Sequence, residues 1–353
     1  MDNSHETTDI GRSENHGSGE KRKHLVFTDI DLHKPGKQIG YLYVPHSPHE
    51  DAWGTVRIPI AVIKGAPGKT VLLEGGNHGD EYEGPITLME LIREIEPSNI
   101  NGRLIIIPSI NFPAVEAGRR TSPLDGLNFN RSFPGDPAGS MTQQIAAYVS
   151  DVLMPQADAF VSLHAGGSSL DIVAGAMIHA GLDPEHTERN RAAARAFGTP
   201  ITIYLDLGDK RTAYGVAVAL GITTVTIEMR GQGTVDREAL ALCRQGVRNL
   251  LAHFELTPAA HEDLPSRQDS YALAGNQSYV ISGSDGIVEF YFQLGEAVDA
   301  GIAIGAIHPI HDPTSSPVPL IAKESGILYG KRHPGRVRPG NCCAVIAGKL
   351  SDN

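Results

Sequence analysis

Short runs of apolar and β-branched residues, separated by glycine, proline and aspartate, dominate the chain from residue 25 onward. Runs of this length between turn residues are typical of β-strands. Three of them, at residues 25–27, 39–44 and 56–63, predict strands that precede the main sheet. Residues 1–24 are polar and have almost no large apolar side chain, so they predict a disordered tail.

Strand and helix patterns alternate after these first runs. Apolar runs at 70–73 and 103–107 flank a helix-period segment at 85–96, which begins with a proline suited to a first helical turn. A strand–helix–strand unit of this kind implies parallel strands and an α/β fold. The alternation continues with predicted strands at 159–163 and 222–227, predicted helices at 184–197 and 235–254, and a capping box, Ser140 with Gln143, that predicts a helix to about Leu153.

Two segments interrupt this alternation. Residues 110–139 are rich in Asn, Pro, Gly and Arg with little periodicity, and loops of that length in compact domains are usually functional. Residues 257–270 predict a linker, and the short strands with Gly and Pro that follow predict a small all-β domain over residues 271–353. The larger α/β domain then spans residues 25–256.

The charge balance narrows the choice of partners. The 353 residues carry 30 Lys and Arg against 41 Asp and Glu, a formal net charge of −11. An acidic chain has no excess positive charge for phosphate backbones or anionic headgroups, so we expect neither nucleic acid nor membrane binding, and we favour a small-molecule ligand.

Cysteine usage and the first residues predict the compartment. Cys243, Cys342 and Cys343 make no disulfide framework and no zinc-finger spacing, so any metal site must use histidine and carboxylate ligands. Residues 1–24 lack the apolar stretch of a secretory signal, and no apolar run approaches the roughly 20 residues that span a bilayer. We therefore expect a cytoplasmic protein, with its oligomeric state left open and a homo-oligomer among the alternatives.

His78 and Glu81 form an H-x-x-E pair in a glycine-rich turn that directly follows a predicted strand. The pair alone is weak, because one such match is expected by chance in a chain of this composition. Its position is more informative, since open α/β sheets bind ligands at the carboxyl ends of their strands. Imidazole and carboxylate are both zinc ligands, and a catalytic zinc site uses three protein ligands. The alternative is a polar surface loop.

A third ligand is expected at another strand end. His164 ends the predicted strand 159–163 and precedes Ala165-Gly166-Gly167. A lone histidine there is more often structural, but the pair above makes a ligand the better interpretation. Zinc in such a site would polarise a carbonyl and activate water, and hydrolysis then needs a general base. Glu228, at the end of the predicted strand 222–227, is the best candidate, with a solvated surface carboxylate as the alternative.

The aperiodic loop at 110–139 supplies cationic side chains. Arg131 follows Asn130, and Arg grips a carboxylate with two parallel hydrogen bonds while Asn adds a directional donor. A further arginine near the metal, either Arg119 or Arg120, would stabilise the oxyanion formed on attack. The alternative for this Arg pair is ordinary surface solvation.

Four motifs together resemble the succinylglutamate desuccinylase and aspartoacylase branch of the zinc carboxypeptidase family. They are GGNHGDE at 75–81, NFNR at 128–131, SLHAGG at 162–167 and TIEM at 226–229, and they occur in the family's order. The likeness covers roughly residues 25–350, because the branch also carries a C-terminal β domain. It implies a zinc-carboxypeptidase-like mixed sheet flanked by helices, followed by the small all-β domain.

The resemblance also implies a role for each motif and one zinc ion per subunit. The site residues it implies are the zinc ligands His78, Glu81 and His164, the base Glu228, the α-carboxylate-binding pair Asn130 and Arg131, and the oxyanion-stabilising Arg120. Arg119 competes for the last role. Phe129 stands before Asn130 where the family usually has leucine.

The expected function is therefore a zinc-dependent deacylase that hydrolyses the amide of a small Nα-acyl amino acid. Two alternatives stay open. A metallocarboxypeptidase would use the same metal chemistry on peptides, although an additional β domain that caps the cleft would disfavour extended substrates. A catalytically silent protein that binds small molecules would keep the fold without turnover.

Overall fold

One large mixed sheet organises the part of the chain that the computed structural model describes, residues 23–205, 210–258, 268–273 and 275–350. The predicted tail lies outside these ranges apart from residues 23 and 24, as does most of the predicted linker, so both stay predictions. Within the described residues, no helix combines the length and the apolar character needed to cross a membrane.

The strands before residue 258 are β1 (Phe27–Thr28), β2 (Gly36–Pro45), β3 (Thr55–Lys64), β4 (Ala66–Gly75), β5 (Asn101–Ile107), β6 (Ala159–Ala165), β7 (Leu170–Ile172), β8 (Gly175–His179), β9 (Ile201–Leu205) and β10 (Thr223–Met229). The later strands are β11 (Asp269–Ala272), β12 (Tyr279–Ile281), β13 (Gly286–Phe290), β14 (Ala297–Val298), β15 (Ala303–His308), β16 (Val318–Ile321), β17 (Gly326–Arg332), β18 (Arg336–Val337) and β19 (Cys342–Lys349). The α-helices of the described chain are α1 (Glu83–Glu94), α2 (Phe112–Glu116), α3 (Met141–Tyr148), α4 (Pro184–Phe197), α5 (Ala213–Ala219) and α6 (Arg237–His253).

The large sheet contains both parallel and antiparallel pairs, which confirms the predicted α/β fold with a mixed sheet. Its strand order is β1-β2-β3-β5-β4-β6-β10-β8-β9-β11-β19-β17-β14, with β7 beside β17 and β12 beside β19. At its centre β4 runs parallel to β5 and to β6, and β6 runs parallel to β10. Parallel neighbours end at the same edge of a sheet, so the carboxyl ends of β4, β6 and β10 lie side by side.

Helices cover both faces of the sheet because the strands at its centre bury side chains on both sides. Helices α1, α4 and α6 enclose one core, to which they contribute Leu88, Phe197 and Leu250. Helices α3 and α5 cover the other face and contribute Ile145 and Ala217 to a second core. Fully burying each large apolar side chain stabilises the fold by about 1.5–3 kcal/mol, so the two cores hold the central strands rigidly.

Several elements differ from the sequence prediction. The segment 110–139 is not wholly irregular: it contains α2 and a 3₁₀ turn at Phe129–Arg131, both too short for a periodic pattern. The capping box is present, with the Ser140 N–H donating to Gln143 Oε1 at 3.0 Å, but the α-helix ends at Tyr148 and continues as a π-helical turn. Strands β7, β8 and β9, which are three to five residues long, and the two-turn helix α5 were not predicted, because elements this short carry little periodic pattern of their own.

The C-terminal part of the described chain is all-β, as predicted, apart from one 3₁₀ turn at Gly275–Gln277. Four of its strands form a separate sheet in the order β16-β15-β13-β18. The others extend the large sheet, because β11 pairs with β9 on one side and with β19 on the other. Strand β17 also pairs with β7, which follows directly on the His164 loop. The domain boundaries proposed from the sequence stay predictions.

Candidate metal centre and active site

Three neighbouring strands deliver the predicted metal ligands and the predicted base to one edge of the sheet. His78 and Glu81 lie in the turn between β4 and α1, His164 lies in β6, and Glu228 lies in β10. His164 and Glu228 are directly paired across the parallel β6–β10 ladder. The structure therefore brings together four side chains that are up to 150 positions apart in the sequence.

Glycines allow the ligand loop after β4 to fold tightly against its neighbours. Gly76 has φ +64°, and a Cβ on Gly79 would lie 2.0 Å from the Ala114 carbonyl, so a side chain is excluded there. The Gly79 N–H donates to the main-chain carbonyl of Arg119 at 2.9 Å. This contact holds the segment with Arg119 and Arg120 against the ligand loop.

The three predicted ligands form one buried cluster. His78, Glu81 and His164 are each at most 4% exposed, and each offers a ligand atom within 4.8 Å of the others. Glu81 lies between the imidazoles, with Oε1 2.7 Å from His78 Nδ1 and Oε2 2.9 Å from His164 Nδ1. Two imidazoles and one carboxylate at these distances fit the donor set of a catalytic zinc site, in which the ion would replace the protons the ligands now share.

The charges in the metal-free cluster follow from its burial and contacts. Burial alone would raise the pKa of Glu81, but attraction to His78 and His164 lowers it well below its usual range. Burial would also lower the pKa of His164, yet attraction to Glu81 and their hydrogen bond raise it to about 9. For His78 burial dominates, and its pKa is lowered. The cluster therefore holds a buried carboxylate and a protonated His164 near neutral pH.

Arg120 and Asn128 border this cluster. Arg120 Nη1 lies 3.3 Å from His78 Nδ1 and 3.7 Å from Glu81 Oε1, and 43% of its side chain is exposed. Asn128 Oδ1 lies 3.3 Å from His78 Nε2. Arg119 instead contributes its main-chain carbonyl to the ligand loop. Of the two arginines left open by the sequence, Arg120 is the one whose guanidinium meets the cluster.

The predicted carboxylate-binding pair lies on the 3₁₀ turn after Asn128. Asn130 Oδ1 accepts the main-chain N–H of Ala213 at 3.0 Å, so the amide oxygen fixes the start of α5 and leaves the amide N–H groups for a ligand. The exposed Arg131 donates from Nη1 to the Asn130 carbonyl at 2.6 Å. Phe129 is fully buried and packs edge-on against Phe133, with ring centroids 5.0 Å apart, which anchors the turn in the core.

Glu228 is a half-buried carboxyl group at the edge of the cluster. Burial raises its pKa to about 8, with the positive charges of His164 and Arg120 opposing the shift and Glu81 adding to it. These influences are electrostatic and short-ranged, so they locate Glu228 beside the predicted ligands.

Two tyrosines of the C-terminal β strands reach the same region and were missed from the sequence. Tyr329 in β17 has a hydroxyl group that is buried and lacks a hydrogen-bond partner in the described structure. Burial raises its pKa, with contributions from Glu228 and Tyr279. Burial also raises the pKa of Tyr279, which senses the charge of Arg131. A tyrosine in a predicted strand is usually interpreted as a core residue. The sequence therefore did not indicate that these tyrosines lie near Glu228 and Arg131.

The fold and this site define a class of protein. Residues 67–254, more than half of the chain, match the succinylglutamate desuccinylase/aspartoacylase catalytic domain. The chain belongs to the succinylglutamate desuccinylase/aspartoacylase family.

Individual relatives are similar over nearly the whole length. The chain is 39% identical over 330 residues to the N-alpha-acetyl-L-2,4-diaminobutyric acid deacetylase of Halomonas elongata, covering 93% of this chain and 96% of that protein. A product-bound structure of the ectoine utilization protein EutE (DoeB) from Ruegeria pomeroyi has a TM-score of 0.89 and 36% identity, covering 93% of this chain and all of that one. An aspartoacylase family protein from Mesorhizobium loti has a TM-score of 0.81 and 27% identity, covering 94% of this chain and all of that one.

Proposed function

We propose that this protein is a zinc-dependent deacylase that hydrolyses the amide of a small Nα-acyl amino acid, releasing a carboxylic acid and the free amino acid. The convergence of His78, Glu81 and His164 beside Glu228, which pairs with His164 across the sheet, is the observation that carries this proposal. Family membership supports a hydrolase acting on an amide. The same three side chains would hold one zinc ion per subunit, and a bound zinc ion would polarise the acyl carbonyl and make water reactive at neutral pH.

Glu228 is the general base in this proposal. Its elevated pKa, set by burial, is suited to accepting a proton from water and passing it to the leaving nitrogen, since proton transfer is most effective near the operating pH. A positive ion in the site would favour the charged carboxylate, which is the form needed to accept the proton. The pairing of Glu228 with His164 across the β6–β10 ladder keeps the base next to the ligand set.

The loop residues bind and orient the substrate. Arg131 would grip the α-carboxylate, and Asn130 would add an amide N–H donor because its oxygen is occupied by Ala213. Arg120, next to His78 and Glu81, would donate to the oxygen that becomes negative when water attacks the carbonyl. Binding at one end and charge stabilisation at the other would place the scissile amide between Arg131 and Arg120.

A small substrate fits this site better than a peptide. Tyr329, on a strand of the C-terminal β region, is buried close to Glu228, and β17 pairs with β7 directly after the His164 loop. The β region thus packs against the catalytic residues, and a metallocarboxypeptidase would need room there for an extended chain. A silent binding protein would not need a base with a raised pKa beside a complete ligand set.

The first substrate to test is N2-acetyl-L-2,4-diaminobutanoate. The Halomonas elongata relative is named for this substrate. The segments Trp53-Gly54, Arg57-Ile58-Pro59, 79–85 (GDEYEGP) and 121–128 (TSPLDGLN) also resemble that deacetylase. Activity on this compound would support a role in ectoine degradation and amino-acid metabolism, since the Ruegeria pomeroyi neighbour is named an ectoine utilization protein. We propose the cytoplasm as its compartment.

A substrate panel tests the proposal. Purified protein is assayed with Nα-acyl amino acids, acetyl-diaminobutanoate included, and with dipeptides and longer peptides, before and after chelation and after zinc is restored. We expect turnover of acyl amino acids that chelation abolishes and zinc recovers. Glu228→Gln should bind zinc and lose nearly all turnover. Preference for peptides would favour a carboxypeptidase, and zinc binding without turnover of any compound would favour a silent binding protein.

A further inference from the structure

Asp80 is a buried carboxylate in the ligand loop to which the sequence assigned no role. It lies between His78 and Glu81 and is 3% exposed. Its Oδ2 accepts two hydrogen bonds from Ser168, one from the main-chain N–H at 2.8 Å and one from the hydroxyl at 2.7 Å. Ser168 belongs to the loop that follows His164. One side chain therefore ties the loop that supplies His78 and Glu81 to the loop that directly follows His164.

The loop that Asp80 grips is built to receive a carboxylate. Gly167 has φ +57°, and a Cβ there would lie 2.9 Å from Asp80 Oδ2, so only glycine lets the carboxylate approach the backbone this closely. Without that approach, the carboxylate and the Ser168 N–H would be held apart. The contact thus depends on matching features in both loops.

The loop after His164 is also hydrogen-bonded to the loop after β10, the strand that carries Glu228. The Gly166 N–H donates to the Arg230 carbonyl, and the Gly233 N–H donates to the Gly167 carbonyl, both at 2.9 Å. These main-chain bonds join the loop after β10 to the loop after β6. Asp80 then links this pair to the loop after β4, so the three strand-end loops form one hydrogen-bonded unit.

Only one of the two carboxylate oxygens of Asp80 is hydrogen-bonded. Its Oδ1 is buried and has no hydrogen-bond partner within the described structure. Leaving a buried polar atom unpaired costs about 1–3 kcal/mol, so stability alone gives no reason for a carboxylate at this position. A benefit to the site would account for it.

We propose that Asp80 is a positioning residue that holds the loop after His164 against the loop that carries His78 and Glu81, so that the three ligands are already convergent before a metal ion binds. The inference rests on the proposed zinc site. Residues that orient metal ligands from behind typically contribute 10- to 100-fold to metal affinity, and we expect Asp80 to act in this range.

Zinc affinity of the full-length protein tests this role. The protein is stripped of metal, and its zinc Kd is measured by competition with a chromogenic chelator alongside the melting temperature of the metal-free form. Asp80→Ala should raise the Kd by about 10- to 100-fold. Asp80→Asn keeps an acceptor for Ser168 and should stay within a few-fold of wild type, and Ser168→Ala, which removes only the hydroxyl donor, should give an intermediate loss.

Asp183→Ala is the matched control. Asp183 is the N-cap of α4, and its Oδ1 accepts the main-chain N–H of His186 at 2.8 Å. It follows β8, which runs antiparallel to β10, so it lies at the edge of the sheet opposite the ligands. We expect this variant to lower the melting temperature, because a lost N-cap typically costs about 1 kcal/mol, and to leave the zinc Kd unchanged. A ligand-positioning residue should change both quantities, whereas a merely structural one should behave like Asp183.

The outcomes separate this inference from the proposed function. An Asp80→Ala protein that binds zinc like wild type would overturn the inference, as would an Asp80→Asn protein as weak as Asp80→Ala, since charge rather than the bonds to Ser168 would then matter. If Asp80→Ala does not fold, an unchanged Kd in Ser168→Ala overturns it and a raised Kd supports it. Failure of the wild type to bind zinc would overturn the proposed function, and the inference with it.

Discussion

Zinc binding should release a proton from His164. Attraction to Glu81 raises the pKa of His164 to about 9 in the metal-free protein, in spite of burial. A zinc ligand must be a neutral imidazole, so at pH 7 the ion has to displace a proton held about two pKa units too tightly. Each unit corresponds to about 1.4 kcal/mol, so the displacement costs roughly 3 kcal/mol, on the order of 100-fold in apparent affinity.

Loss of the His164 proton alone should make the apparent zinc Kd fall about tenfold for each pH unit between about 6.5 and 8.5 and level off above about 9. His78 adds no proton, because burial lowers its pKa. Glu228 adds a second contribution, since burial raises its pKa to about 8 and a nearby cation would ionise it. Glu228→Gln removes that contribution and isolates His164.

Calorimetry in buffers of different ionisation enthalpy counts these protons directly. We expect between one and two protons released per zinc ion by the wild type at pH 7, and about one by Glu228→Gln. Competition titrations at constant ionic strength should give the matching pH slope. A Kd independent of pH, with no proton released by either protein, would refute the ion pair between Glu81 and His164.

Three further predictions concern the substrate loop and the fold. Arg131→Ala should lower kcat/KM by about 30-fold or more, because removing one partner of a charge pair that the bound substrate buries typically costs about 2–5 kcal/mol, and unchanged steady-state kinetics would exclude its role. Asn130→Asp keeps the acceptor for Ala213 but loses the amide donor, so KM should rise with little change in melting temperature, whereas Asn130→Ala should lower both affinity and stability. Burial lowers the pKa of His179 to about 3, so its contribution to stability is complete above pH 6.5 and is lost as the pH falls towards 3. His179→Phe, which preserves stacking on Tyr214, should flatten the pH dependence of denaturant unfolding in that window, and an unchanged slope would contradict this origin.

The sequence predicted the site best where chemistry and strand pattern coincide. His164 and Glu228 each close an apolar run, so their position at the sheet edge follows from the pattern alone. The pattern did not decide between Arg119 and Arg120. These neighbouring residues differ only in the direction in which the loop points their side chains. The position of Tyr329 near Glu228 could not be predicted for another reason. It depends on the pairing of β7 with β17, two segments more than 150 residues apart in the sequence.

The same limit applies to the fold. Helices such as α4 and α6 carry enough periodic turns to be predicted, and α4 has the predicted bounds, 184–197. Strands β7, β8 and β9 are three to five residues long, and their burial comes from neighbours distant in sequence. Short elements of this kind are specified by tertiary packing rather than by local pattern.

Strand β11 makes the C-terminal region inseparable from the hydrolase scaffold. A chain cut before residue 268 would leave one edge of β9 with unpaired main-chain N–H and C=O groups. An exposed edge of this kind can pair with a strand of another molecule. The truncated protein should aggregate instead of surviving as a minimal enzyme. Heating the intact chain should unfold the α/β region and the C-terminal β region in one transition, because separating them would break the main-chain hydrogen bonds of the sheet they share.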